Sequence, residues 1–189
     1  MKHLKAAGLA LLITILPFAY TGTASGTTLT SPAGTTYTST IKAENEGTVT
    51  LTSVFGGFGA VSCKKSVIEG KNESHGSGVT DFGRLTTWYF TECTGGSPTH
   101  LVAAGSFEIH SGGGVVTSKS ASLVIHSTAF GTCTFTTAST GTTLGTLTTT
   151  SSTGGNATID VAASLASACG TGTLEGSYKI TTPSTLFLD

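Results

Sequence analysis

The four cysteines are the residues whose type and spacing most clearly indicate chemistry. They are Cys63, Cys93, Cys133 and Cys169, and an even number of cysteines predicts disulfides wherever a chain is exported to an oxidising compartment. Four cysteines allow three pairings. We favour Cys63–Cys93 and Cys133–Cys169, because segments adjacent in sequence are often adjacent in an antiparallel sheet. Each bridge would then stabilise the fold by about 3–4 kcal/mol in the loop-entropy model.

Metal binding is the alternative chemistry for the same residue types. Four-cysteine metal sites use short paired spacings, whereas these cysteines all lie far apart. A second arrangement combines His110 and His126 with Glu108, because imidazole and carboxylate groups hold zinc or copper. Exposed histidines on strand ends would show the same spacing, so we predict no metal and no cofactor.

Two neighbouring aromatic residues, Trp88 and Tyr89, are the candidate ligand-stacking residues. An exposed ring in this run would form a platform for a sugar. The alternative is that these rings pack in the core beside a disulfide.

The sequence selects no catalytic group. The carboxylates are scattered, and the nucleophile-elbow, zinc-protease and calcium-loop patterns are absent. We therefore predict that the protein is not an enzyme, with an uncharacterised secreted hydrolase as one alternative. Two of the nine basic groups lie within residues 1–24, and the rest of the chain has a net charge of about −3. This charge and the lack of a basic patch exclude nucleic acid as a partner.

Residues 1–24 have the pattern of a secretory signal peptide. Lys2 and Lys5 precede an apolar run, and small residues precede a cleavage site after Ala24. The apolar run is shorter than the roughly 20 residues that span a membrane, so we expect no transmembrane segment after signal removal. We expect a protein that is secreted or held at the cell surface, with the periplasm as the alternative. Residues 25–36 are interpreted as a flexible leader or edge strand.

Residues 37–189 are predicted to form one all-β domain. Apolar and polar residues alternate in many short runs, such as the one from Leu174 to Ile180, and turn signals recur every 8–12 residues. This pattern predicts about nine to eleven short strands in a single antiparallel β-sandwich, jelly-roll or Ig-like, with two disulfides. The rival fold is an eight-stranded outer-membrane barrel. It is disfavoured because aromatic residues are only 7% and the chain ends in Asp189.

The segment from Val61 to Cys93 is interpreted as the central hairpin of that sandwich. Strict alternation would place Leu85 and Tyr89 on one face of its second strand and Trp88 on the other. Large apolar side chains on both faces predict a strand between two layers.

Four segments carry a family resemblance: VSCKKSVIEG, LTTWYFTECTGG, GTCTFTTASTGTTLGTLT and SACGTGTLEGSYKITTPSTLFLD. Their cysteine and aromatic placement resembles small secreted β-rich bacterial proteins of unknown function. More distantly, the layout is similar to the exported alkane-oxidation activator (PraB-type) family. The resemblance implies an exported, non-catalytic β protein and supplies no catalytic residue.

These observations together predict a non-catalytic secreted or cell-surface structural or interaction protein. Residues 25–36 would add a strand to a neighbouring molecule, so the expected partners are the protein itself or cell-surface components. The alternative is an extracellular module that binds a carbohydrate or an apolar ligand.

Overall fold

The computed structural model describes residues 28–53, 60–75, 80–110, 113–127, 131–150 and 155–189. The predicted signal peptide lies outside these residues. Within them, no helix is long and apolar enough to cross a membrane. The described residues contain thirteen strands, which confirms the all-β prediction. The strands are β1 (Leu29–Thr30), β2 (Thr40–Ser53), β3 (Val61–His75), β4 (Thr80–Thr94), β5 (Ser97–Ala103), β6 (Ser106–His110), β7 (Val115–Lys119), β8 (Ser122–Ser127), β9 (Gly131–Thr136), β10 (Thr142–Thr148), β11 (Thr158–Ser167), β12 (Gly170–Thr182) and β13 (Phe187–Leu188).

The main sheet closes on itself into a barrel. Eight antiparallel strands, β2, β3, β4, β6, β7, β10, β11 and β12, form a ring, because β12 pairs with β2 and β10 pairs with β11. The predicted β-sandwich is therefore wrong. Alternation in the sequence shows only that one face of each strand is buried, and this is equally true of a sandwich and of a barrel. The long-range pairing of β2 with β12 decides between them.

Three positions in the ring are each occupied by two short strands that lie in line. Along β4, residues Thr80–Arg84 pair with β6, and Tyr89 pairs with β5. In the same way β7 continues into β8, and β9 continues into β10. The fold is thus an up-and-down barrel in which three strand lines are broken near their middle. The breaks fall at residues 104–105, 120–121 and 137–141.

A register shift between β3 and β4 changes which side chains of β4 point into the barrel and which point out of it. The shift lies where Glu69 and Gly70 of β3 pair with β4, and such a bulge inserts one extra residue. As a result Leu85 and Trp88 both belong to the core, whereas Tyr89 is 39% exposed. The expected strand between two layers is also wrong, because Tyr89 faces outward from a single closed wall.

The two disulfides lie toward one end of the barrel, which we call the disulfide end. Cys63–Cys93 joins β3 to β4, and Cys133–Cys169 joins β9 to the turn between β11 and β12. These are the two pairs favoured from the sequence, and the prediction of two disulfides is confirmed.

The opposite end, which we call the termini end, is covered by both ends of the described chain. Here β1 pairs with β13 in a separate two-stranded sheet. The side chains of Leu29, in β1, and of Leu186, which precedes β13, are fully buried. Part of the segment interpreted as a flexible leader or edge strand thus forms a strand against the last residues of its own chain.

Closure depends on a close approach of two backbones at Gly145. This glycine pairs with Val116 of β7 and with Val161 of β11. A Cβ atom at position 145 would lie 1.8 Å from the carbonyl oxygen of Asp160. Only a residue without a side chain therefore allows β10 to join β7 and β11 at this point.

We predict that Gly145→Ala lowers the free energy of unfolding by about 2–3 kcal/mol, because the added methyl group forces the closing strands apart. Urea denaturation of the purified protein measures this. The matched control is Thr146→Ala on the exposed face of the same strand, which should cost less than about 0.5 kcal/mol. Equal losses in the two variants would contradict this account of closure.

Candidate functional site

The centre of the barrel contains a cluster of three hydrogen-bonded polar side chains. Trp88 donates its indole N–H to Ser66 Oγ and to the Tyr178 hydroxyl, both at 3.2 Å. The Tyr178 hydroxyl donates to Ser66 Oγ at 2.9 Å. All three side chains are buried, with Trp88 only 3% exposed. We call this cluster the interior triad. It links β3, β4 and β12 across the core.

The interior triad is held by aromatic packing as well as by hydrogen bonds. The Trp88 ring meets the Tyr178 ring edge-on, with centroids 6.3 Å apart, and stacks on Phe90 at 5.8 Å. Such aromatic pairs each contribute about 0.5–1.5 kcal/mol beyond the area they bury. Buried polar groups are costly unless they are paired, so the three partners depend on one another.

Burial raises the pKa of Tyr178 to about 12, because the phenolate would be removed from water. Its contacts with Ser66 and Trp88 act in the opposite direction but are weaker. Tyr178 is therefore a neutral hydroxyl at ordinary pH. The interior triad can orient rings and offer hydrogen bonds, but Tyr178 does not act as a base near neutrality.

A cavity of about 50 Å³ lies between the interior triad and the termini end. We call it the main cavity. Every side chain that lines it is a hydrocarbon or the Trp88 ring, and Leu186 closes it at the termini end. The lining includes Ile41, Ala43, Leu147, Val161 and Ile180. Such a surface can accept an apolar guest and has no group for acid or base chemistry.

Two glycines shape the wall of the main cavity. A Cβ atom at Gly83 would lie 2.2 Å from the Phe107 ring, and one at Gly70 would lie 2.8 Å from it. The Phe107 ring therefore lies against bare backbone of β3 and β4. A second cavity of only about 10 Å³ lies toward the disulfide end, where Phe90 and Leu123 are among its lining residues.

The structure separates the two predicted stacking residues. Trp88 is inside and borders the main cavity, whereas Tyr89 is on the outer face. A paired aromatic platform is therefore not formed, and Tyr89 alone is accessible. Ser66 and Tyr178 were missed from the sequence. The alternation around Tyr178 indicates a strand with one buried face, but nothing in it identifies a partner 90 residues away.

The histidines and the carboxylate considered for metal binding do not meet. His110 Nε2 lies 3.0 Å from Thr117 Oγ1 near the termini end. His126 Nδ1 lies 2.8 Å from the hydroxyl of Thr132 near the disulfide end. Glu108 pairs with Lys119 at 2.5 Å. In the described part of the chain, no three His, Cys, Asp or Glu residues form a group that could hold a metal ion.

Comparison with known proteins found no match for this chain among protein-family models, curated proteins or solved structures. The resemblance to the exported alkane-oxidation activator family stays a prediction. Function is therefore inferred from the geometry of the chain itself.

We predict that the free energy of unfolding falls as the pH rises from about 10 to about 12. In this window unfolded tyrosine loses its proton while folded Tyr178 keeps it, so the folded state binds more protons. The stabilisation is present below pH 10, and roughly 2–3 kcal/mol is lost across the window. Urea denaturation at several pH values measures the decline.

The variant Tyr178→Phe should abolish most of this decline, because it removes the titrating hydroxyl. The exposed control Tyr89→Phe should keep it. A decline that persists unchanged in Tyr178→Phe would contradict the assignment to Tyr178.

Proposed function

We propose that this protein is a non-catalytic exported binding module that holds a small apolar ligand inside its barrel. The observation that carries this proposal is the main cavity, about 50 Å³ in volume and lined entirely by apolar side chains. An eight-stranded barrel is just wide enough either to be filled by its own side chains or to hold one small ligand. Here the side chains leave a space next to Trp88.

The size and polarity of the main cavity limit the ligand. Dry apolar cavities bind nonpolar guests, and an engineered cavity of about 150 Å³ binds benzene. The main cavity is smaller, so it suits a guest of a few carbon atoms or the end of a longer chain. A charged or strongly polar group would lose its hydration there without compensation.

The termini end supplies the route by which a ligand would reach the main cavity. The sheet of β1 and β13 pairs two residues from each strand, and two backbone hydrogen bonds join Thr28 to Asp189 beside it. The hydroxyl of Thr30 also donates to Asp189 Oδ2 at 2.7 Å. A separate two-stranded sheet opens locally at a lower free-energy cost than the strands of the closed ring. Displacement of this small sheet would uncover Leu186 and the cavity beneath it.

The two disulfides support a site of action outside the cytoplasm. Disulfides persist in oxidising compartments and are rare where thiols are kept reduced. Secretion to the extracellular space or the cell surface, with the periplasm as the alternative, is therefore part of the proposal.

We predict that small hydrocarbons change the fluorescence of the mature protein, because Trp88 is its only tryptophan and borders the main cavity. Leu147→Ala enlarges this cavity and should tighten benzene binding on the order of tenfold. Ala43→Val partly fills the same cavity and should weaken it. Benzene titration followed by Trp88 emission measures all three proteins.

The matched control is Leu123→Ala, which enlarges the second cavity toward the disulfide end. Both Leu→Ala variants should lose about 2–5 kcal/mol of stability, but only Leu147→Ala should gain affinity. A guest that binds neither the original protein nor Leu147→Ala would contradict a ligand site in the main cavity.

Self-association is the second candidate function, and the pairing of β1 with β13 favours it. In the described ring each strand is paired on both sides, so a neighbour has no barrel edge to extend. β1 lies early in the chain and β13 lies at its end, so the same pairing can form between two copies by strand exchange. The partner would then be a second copy of this chain.

We predict for this candidate that the mature protein forms dimers at high concentration, because β1 of one copy can bury Leu29 in the other copy as it does in its own. Light scattering coupled to size-exclusion chromatography measures the mass of each species. Monomers alone across the concentration range would exclude exchange.

A further inference from the structure

The outer face of the barrel carries a pocket where two of the strand lines break. The pocket has a volume of about 240 Å³ and is lined by Arg84, Ala104, Gly105, Ser106, Lys119 and Ser120. Residues 104–105 separate β5 from β6, and residues 120–121 separate β7 from β8. We call this feature the break pocket. It lies outside the barrel wall and is independent of the main cavity.

The backbone around the break pocket is unusually constrained. A Cβ atom at Gly105 would lie 2.4 Å from the Lys119 carbonyl oxygen and 2.5 Å from the Ala121 nitrogen. Ser120 has a φ of 56°, in the left-handed region that costs a residue with a side chain about 1 kcal/mol or more. Strained backbone of this kind concentrates at functional sites, so the break pocket is a candidate ligand site.

The break pocket is lined by two cations and two hydroxyl groups but by no carboxylate. Arg84 forms an ion pair with Glu73, with its Nε 3.4 Å from Oε1. Its two terminal nitrogens make no hydrogen bond within the described residues. Lys119 pairs with Glu108, which lies outside the lining. Lys71 stands directly opposite Arg84 in the register of β3 and β4 and adds a third positive charge nearby.

These groups match the chemistry of an oxyanion. The fork of an arginine guanidinium binds a carboxylate or sulfate through two parallel hydrogen bonds. Lysine and serine side chains add further donors around the same group. A single inorganic ion would fill only part of 240 Å³, so the rest of the pocket suits the body of a larger, hydroxyl-rich molecule.

The outer face of β4 continues from the break pocket to an exposed aromatic ring. Tyr89 lies five positions beyond Arg84 and is 39% exposed. Because a bulge takes up one of the intervening residues, Arg84 and Tyr89 lie opposite Lys71 and Val67, which are four positions apart on β3. At about 3.3 Å per residue, the two side chains are on the order of 13 Å apart along the strand. This distance exceeds one sugar ring and fits a short oligosaccharide that places its acidic group at Arg84 and another ring on Tyr89.

We propose that the break pocket binds the carboxylate or sulfate group of an acidic oligosaccharide, with Tyr89 stacking on a neighbouring sugar ring. Arg84 supplies the bidentate contact, and Lys119 with Ser106 and Ser120 completes the anion site. The ligand is recognised on the outside of the barrel, so this site can be occupied whether or not the main cavity holds a guest.

Calorimetric titration of the mature protein tests the proposal with three probes: a uronic-acid oligosaccharide, its neutral counterpart and sodium sulfate. The acidic oligosaccharide should bind and the neutral one should not. Arg84→Gln and Lys119→Gln should each weaken binding by about tenfold or more. The matched control is Lys64→Gln, which removes an exposed lysine near the disulfide end and should leave the affinity unchanged.

The variant Tyr89→Ala separates the two parts of the site. It should weaken the oligosaccharide several-fold and leave the weaker binding of sulfate unchanged. Urea denaturation confirms that each variant is folded. No binding of the acidic oligosaccharide, or an equal loss in Lys64→Gln, would overturn the proposal. Sulfate that binds as tightly as the oligosaccharide would also overturn it, since the pocket would then be a site for a free anion.

Discussion

Closure of the sheet is the constraint on which the rest of this structure depends. The pairings of β12 with β2 and of β10 with β11 give each strand of the ring two neighbours and divide the side chains into an inner and an outer set. Gly145 permits a close backbone approach where β10 joins β7 and β11. Because closure leaves no free edge among the ring strands described, candidate functions fall into two regions: the enclosed interior and the outer wall.

The interior combines a polar cluster with an unfilled apolar space. The three side chains of the interior triad pair their polar groups with one another by hydrogen bonds. The ring of Trp88, one of the three, also borders the main cavity. This core leaves a space of about 50 Å³ unfilled. Unfilled volume in a core lowers the free energy of unfolding. That cost is the physical argument for a ligand rather than a solely structural core. The disulfides at the opposite end offset part of it.

The outer wall owes its features to the same closed geometry. Three strand lines break near their middle, and two of the breaks open the pocket beside Arg84 and Lys119. The register shift near Gly70 turns Trp88 inward and leaves Tyr89 outside on the same strand. The two neighbouring aromatic residues therefore lie on opposite sides of the barrel wall. Trp88 faces the main cavity, and Tyr89 faces solvent on the same outer face as the break pocket.

By itself the sequence determined the local properties: strands rather than helices, and one apolar side for runs such as the one around Tyr178. It favoured the pairing of Cys63 with Cys93, which the structure shows, without excluding the other pairings. These depend on period-two alternation and on neighbours close in the chain. The tertiary structure alone decided that the sheet is a barrel rather than a sandwich, that Trp88 meets Ser66 and Tyr178, and that Arg84 and Lys119 line the same pocket. Each of these joins distant segments through register, and a single bulge reverses which face a side chain occupies, so alternation cannot specify them.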